Sequence, residues 1–221
     1  ISREWSATRE QWGCVIGKHQ AIADKIAKIA AKSFATESIV LFTSSLVDGK
    51  KADIRVESAM CKMWGTEEAW KVADETMQIR GGRGYETADS LKNRGMEPIP
   101  VERYLRDCRI NLIFEGSSEI MRLLLAREAL DPHLKAAGAV LNSRLPLMVR
   151  LKAAIGAGLF YARWYPKQWL PTFNSGPRGC SSSVGKYLRF VAKTSKKLSR
   201  KLFHSMLRYG PALDKQQMLL G

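Results

Sequence analysis

Apolar residues recur every three to four positions through the first half of the chain. Over residues 21–47, Ile22, Ile26, Ile29, Ala30, Phe34, Ile39 and Leu41 are separated by polar positions and lysines, which predicts one long amphipathic helix. Asp48-Gly49 ends it, because Gly takes up the conformation that closes a helix. A second long helix is expected over 52–79, with Val56, Met60, Met63, Trp64, Trp70, Val72 and Met77 as packing residues. The short Asp48-Gly49-Lys50-Lys51 turn makes these two an antiparallel pair, the start of a bundle. The second helix runs into Gly81-Gly82-Arg83-Gly84, then into a polar loop holding Pro98 and Pro100. A short helix is expected from about 101 to 106 and a turn over 111–116. Ser117 or Ser118 then caps a helix reaching about Leu130, closed by Asp131-Pro132.

Beyond Pro132 the pattern changes. Residues 145–162 are apolar but carry Arg150 and Lys152, and the longest uncharged run, 153–162, is too short to span a bilayer. Trp164, Tyr165, Pro166, Trp169 and Pro171 follow, then a Gly/Ser/Pro-rich loop over about 174–185. Residues 186–209 read as a basic amphipathic helix. Leu188, Val191, Leu198, Leu202, Met206 and Tyr209 form its apolar positions, with Lys193, Lys196, Lys197, Arg200, Lys201 and Arg208 between them.

Charge sharpens this division. The chain has 36 Lys and Arg against 21 Asp and Glu, a net charge of +15. Residues 1–131 hold 20 of each sign, whereas 132–221 hold 16 basic residues and one acid, Asp214. The excess therefore belongs to the C-terminal segment and points to an acidic partner, a phospholipid surface or nucleic acid. Four cysteines (Cys14, Cys61, Cys108, Cys180) form no C-x-x-C pair, and with His19, His133 and His204 widely spaced there is no zinc pattern. Reduced thiols of a cytosol or mitochondrial matrix are expected. The start at Ile1 and the stop within an apolar stretch read as cuts in a longer protein.

Three short motifs could carry chemistry. In Phe114-Glu115-Gly116-Ser117-Ser118-Glu119-Ile120 a carboxylate precedes a Gly and a helix start. Ile113 and Phe114 could give that carboxylate an apolar side and make it a better base. Alternatively, Glu115 stabilises the helix N-terminus. In Gln78-Ile79-Arg80-Gly81-Gly82-Arg83-Gly84-Tyr85 the glycines could turn backbone N–H groups toward a phosphate or ribose, or simply cap a helix. It follows a helix and so is not a Rossmann fingerprint. In Arg9-Glu10-Gln11-Trp12-Gly13, followed by His19-Gln20, an Arg beside an aromatic suits a pyrophosphate and a flat ring.

In this order and spacing the set resembles the acyl-CoA dehydrogenase family, whose C-terminal helical domain carries R-x-x-F-G, Q-x-x-G-G-x-G, R-D and Y/F-E-G-T/S. The matching residues are Arg9 to Gly13, Gln78 to Gly84, Arg106-Asp107 and Phe114 to Ser117. The resemblance implies an all-α fold: an antiparallel four-helix bundle over 1–134, followed by a basic amphipathic extension. It implies Glu115 as the catalytic base and Gly116 at the substrate thioester. Arg9, Gln11 and Trp12 would meet FAD, with Gln20 nearby, and Gln78, Ile79, Arg80, Gly81 and Gly82 would contact the adenine side of a neighbouring subunit's FAD. Ser117 and Glu119 would touch FAD beside the base. Trp12 stands where Phe is usual, and Glu119 where Gln, Asn or Asp is common.

More loosely, residues 135–221 resemble the extension of the very-long-chain subgroup, with a membrane-contacting linker over 135–185 and the start of a second helical domain over 186–221. The implied reaction is α,β-dehydrogenation of a fatty acyl-CoA in β-oxidation. Electrons would pass to an electron-transfer flavoprotein, in a homodimer or tetramer of the bacterial cytoplasm or mitochondrial matrix that contacts an anionic membrane peripherally. An acyl-CoA oxidase or a non-catalytic assembly factor would share the fold. A nucleic-acid module is disfavoured, because the aromatics of the tail are not interleaved with its basic residues as stacking platforms. No metal is expected.

Overall fold

The structure, a computed structural model, describes residues 1–49, 53–170 and 182–220. It is all-α apart from one small hairpin. In order the elements are α1 (Ser2–Thr8), β1 (Glu10–Gln11), β2 (Cys14–Val15), a 3-10 turn (Ile16–Lys18), α2 (Gln20–Asp48), α3 (Arg55–Arg80), α4 (Gly82–Tyr85), α5 (Ala88–Asn93), α6 (Val101–Ile110) and α7 (Ser118–Leu141). Then come α8 (Leu147–Lys167), α9 (Ser182–Tyr209), a second 3-10 turn (Gly210–Lys215) and α10 (Gln217–Leu220). The chain forms two compact units, Ile1–Leu125 and Ala126–Gly221, and α7 starts in the first and ends in the second.

In the first unit α3 is the hub, packing against α1, α2, α4 and α6. Its acids tie it to its neighbours: Lys25 of α2 pairs with Glu75, Lys32 of α2 with Glu68 at 2.8 Å, and Arg122 of α7 with Glu67. The stripe that α2 turns toward α3 therefore includes polar residues. Ile22, Ile26, Ile29 and Ile39 lie in it half-buried, as the sequence pattern suggests, but so do Lys25 and Lys32. Phe34 (73 % exposed) and Leu41 do not. At 3.6 residues per turn they fall roughly 100–120° around the helix from Ile22. Spacing by threes and fours had merged two stripes, and only the partner helix separates them.

Glu68 is the most deeply placed of these acids. Burial alone would push its carboxyl up, but hydrogen bonds from Lys32 and Lys71 outweigh this and hold it below its ordinary value. With a folded-state value below the unfolded one, its contribution is complete above the ordinary carboxylate range and is lost as pH falls through the folded-state value. Glu68→Gln should therefore cost about 1–3 kcal/mol at neutral pH and little in acid. Urea unfolding at pH 7 and at pH 3 checks this, and an equal loss at both would refute it.

Three local expectations change. The stretch 85–100 is not a plain loop: α5 forms within it, capped by Thr87, whose Oγ1 accepts from Ser90 N at 3.2 Å, and anchored by the fully buried Leu91. The helix expected to stop at Asp131-Pro132 continues to Leu141, with Pro132 inside it. Proline removes one N–H donor from a helix, and here side-chain packing compensates. His133, the next residue, is buried among Phe160, Tyr161, Trp164 and Phe203, with its ring 4.6 Å from Trp164 and stacked on Tyr161. Helix α9 starts at Ser182, four residues earlier than the sequence suggests. The expected turn at Lys50-Lys51, the helix start at Ala52, Pro171, Cys180 and the loop over 174–181 lie outside the described residues. Cys14, Cys61 and Cys108 are free thiols, and among the described residues no cluster could hold a metal ion.

Candidate functional site

Two of the three motifs meet. The β1–β2 hairpin is closed by Trp12 (φ +51°) and Gly13 (φ +82°), a left-handed turn that thrusts the Trp12 ring into solvent at 88 % exposure. The His19 ring steadies it edge-on at 5.8 Å, and His19 Nε2 lies 3.1 Å from the Gln11 carbonyl. At the C-terminal end of α3, Gly81 (φ +60°) breaks the helix and starts α4. A side chain at Gly81 or Gly82 would meet nothing within 4 Å, so the backbone there is open to an approaching group.

Between these ends lies a pocket of about 650 Å³. Arg9, Gln11, Trp12, Gln78, Ile79, Arg80, Gly81 and Gly82 all line it, although some seventy residues separate the two segments. Gln20 does not: it opens α2, exposed, between the lining residues His19 and Ala21.

The electrostatics of this pocket are uneven. Arg83 also lines it, but is paired with Glu86 at 2.6 Å. Hydrogen bonds from Ser90 and then Arg83 hold the Glu86 carboxyl below its usual range. No carboxylate among the described residues lies within ion-pair distance of Arg9 or Arg80. Arg80 is only 6 % exposed, its guanidinium lies 4.7 Å over the Trp5 ring, and its Nε is buried without a hydrogen-bond partner. Burial works against its charge and lowers its pKa. A buried cation with an unused donor, an exposed indole and an open glycine backbone fit a ligand that carries both an anionic group and a flat ring.

The third motif stands apart, since Glu115 lines none of the pockets described here. It sits at φ +52° and Gly116 at φ +94°, consecutive left-handed residues in the turn between α6 and α7. A non-glycine residue in this region costs about 1–3 kcal/mol and persists only where its surroundings enforce it. Lys62 of α3 supplies that enforcement: its Nζ donates to the carbonyls of Phe114 (3.2 Å) and Gly116, one on each side of Glu115. Nothing in the local pattern around Lys62 points to this role, since its acceptors lie 52 and 54 residues away along the chain. At Gly116 a Cβ would collide with the Met121 methyl group.

The expected apolar shelter of Glu115 is not supplied by its neighbours. Ile113 and Phe114 are 55 % and 45 % exposed, and Glu115 itself is exposed. Ser117 caps α7, with Ile120 N 3.5 Å from its Oγ. The Glu119 carboxyl is held low by its own backbone N–H and then by the Ser117 hydroxyl. The departure at Glu119 thus has a local role, completing the cap.

Comparison with known proteins bears on the family of the chain as a whole. The model for "Acyl-CoA dehydrogenase, C-terminal domain" matches residues 1–130. The probable acyl-CoA dehydrogenase FadE10 of Mycobacterium bovis is 48 % identical over all of this chain and 34 % of its own length. The mitochondrial very long-chain specific acyl-CoA dehydrogenase of Bos taurus is 40 % identical over 55 % of this chain and 17 % of its own length. Among solved structures, an acyl-CoA dehydrogenase from Bacillus anthracis complexed with FAD superposes over 99 % of this chain and 35 % of its own, with a TM-score of 0.67 and 25 % identity. The chain spans about a third of the length of the mycobacterial relative.

Proposed function

The chain belongs to the acyl-CoA dehydrogenase family, and from that premise we propose that it is the base-bearing helical part of an FAD-dependent enzyme that dehydrogenates fatty acyl-CoA at Cα–Cβ. The reading rests above all on the pocket that gathers two distant motifs around the buried Arg80. Arg9 and Arg80 would neutralise the pyrophosphate of FAD, and Trp12, Gln11 and the Gln78 to Gly82 backbone would hold its adenosine part, with Gln20 beside them. When bound, FAD supplies the two-electron acceptor for the hydrogen leaving Cβ. Glu115 takes the α-proton on a carboxylate oxygen, Lys62 fixes its turn, and Gly116 keeps the backbone clear beside the thioester.

Because Ile113, Phe114 and Ile120 are exposed, the water-poor surroundings a base needs would come from further domains and a second subunit. A homodimer, or a tetramer built from it, would also cover Phe34, Leu41 and Phe42 of α2. The closed four-helix bundle belongs to the same reading, with the start of α7, up to Leu125, contributing beside α2, α3 and α6. The electron acceptor would be an electron-transfer flavoprotein, and the compartment a bacterial cytoplasm or mitochondrial matrix. Anaerobic mixing of the full-length protein with palmitoyl-CoA tests the activity: bleaching of the flavin absorbance is expected. A flavin that never bleaches with any acyl-CoA would sink the reading.

Peripheral contact with an anionic membrane completes it. No helix of the described residues is long and apolar enough to cross a bilayer. Helix α9, however, exposes Tyr187, Val191 and Leu198 along one stripe, bordered by Lys186, Lys197 and Lys201, which suits the headgroup layer. Replacing those three apolar residues by Ser should lower sedimentation with phosphatidylglycerol vesicles at least roughly tenfold, since each buried side chain of this size contributes about 1.5–3 kcal/mol. Unchanged sedimentation would rule this surface out.

A further inference from the structure

Helix α9 carries a second, different face. Arg189, Lys193, Lys196 and Arg200 recur at intervals of four, three and four and fall within roughly a 60° strip at 3.6 residues per turn. The strip lies on the side away from Tyr187, Val191 and Leu198. All four line a concave pocket of about 440 Å³ against the C-terminal end of α8, where Gln168, Trp169 and Leu170 form its wall.

Two of the cations are held in place by neutral groups. Lys196 Nζ donates to the Leu170 carbonyl at 3.1 Å. Arg200 Nη1 donates to the Gln168 carbonyl, and its guanidinium lies 4.1 Å over the Trp169 ring. The Arg200 contact caps the end of α8, the Lys196 contact fastens the turn that follows it, and both leave the charge of the side chains intact. Arg189 and Lys193 take no part in those contacts. No carboxylate of the described residues pairs with any of the four.

The end of a helix dipole offers about half an elementary negative charge, far short of four positive ones. Fastening the end of α8 and the turn after it therefore accounts for two of the cations but not for the concentration of four in one concavity. Like charges held together without a counter-ion repel, and an anion seated among them removes that cost. Arg200, already flattened on an indole and tethered through one nitrogen, keeps further N–H donors in the fixed fork that suits phosphate oxygens.

We propose that this pocket, between the end of α8 and the middle of α9 (residues 189–200), binds a phosphate group. The group could belong to a lipid headgroup or to free phosphate; the lipid case rests on the membrane reading above, and the pocket itself does not.

The test uses the full-length protein and its Arg189→Gln/Lys193→Gln variant, which retains the Lys196 and Arg200 contacts and so the fold. Inorganic phosphate is titrated at constant ionic strength, with chloride as control, and binding is read by calorimetry and by the fluorescence of Trp169 against a Trp169→Phe reference. Saturable phosphate binding that weakens roughly tenfold or more in the variant, about 1.4 kcal/mol, is expected. Binding that is absent, or equal in the variant, overturns the proposal. A second arm measures sedimentation with phosphatidylcholine vesicles with and without phosphatidic acid. Loss of sedimentation in the variant assigns the pocket to a lipid headgroup. Phosphate binding without sedimentation assigns it to free phosphate and removes the membrane reading instead. Sedimentation that the variant leaves unchanged, with no phosphate binding, removes the pocket and spares the membrane reading.

Discussion

Glu115→Gln in the full-length protein should lower turnover of palmitoyl-CoA by roughly 10²–10⁴-fold, the usual contribution of a positioned general base, while the protein stays flavin-bound. The amide has nearly the same shape and can keep the left-handed turn, because Lys62 clamps the carbonyls on either side and not the side chain. The fold and the pocket around Arg80, which Glu115 does not line, should therefore be untouched. What the amide lacks is an oxygen basic enough to accept an α-proton. Stopped-flow bleaching of the flavin, alongside flavin content and thermal midpoint, separates these effects. Bleaching within a few-fold of the parent rate would mean that another group is the base. Loss of flavin together with rate would mean that the turn, and not the carboxylate, had failed.

Arg80→Met should act in opposite directions on cofactor binding and on the empty protein. In the proposed complex Arg80 meets the pyrophosphate, and a hydrogen bond to a charged group is worth about 1.5–3 kcal/mol. FAD should then bind about 10–150-fold more weakly, the same energy expressed as an equilibrium constant. Without cofactor, the chain loses a charge that sits 6 % exposed with an unpartnered Nε, and Met keeps most of the volume over Trp5. Replacing a poorly compensated buried charge by an apolar group is often neutral or stabilising. Flavin retention on gel filtration and the melting temperature of the flavin-free protein give both halves. Unchanged flavin affinity would remove Arg80 from the cofactor site, and a large fall in apo stability would make it a structural residue.

Periodic patterning and caps made the helices legible, because both act locally. The helical period of α2, the Ser117 cap of α7 and the glycines after α3 are all set by neighbours within one or two turns. Where such signals failed, a distant contact had decided. Pro132 reads as a stop, yet α7 passes through it because His133 is locked among aromatics from α8 and α9. Likewise Thr87 and Leu91 turn a polar stretch into α5 once there is a core for Leu91 to enter.

For the site, the sequence by itself determined the residue types and their order: an Arg beside an aromatic, a glycine break after a long helix, a carboxylate before Gly and a helix start. These are chemical identities, and a one-dimensional string carries them in full. Only the tertiary structure decided that the first two share a pocket while Glu115 stands apart from it, that Glu86 pairs with Arg83 while Arg80 is buried with an unpartnered Nε, and that Lys62 holds the turn carrying Glu115. Each of those depends on which side chains approach within a few ångströms after helices far apart in sequence have packed, and on the charge balance that packing leaves behind.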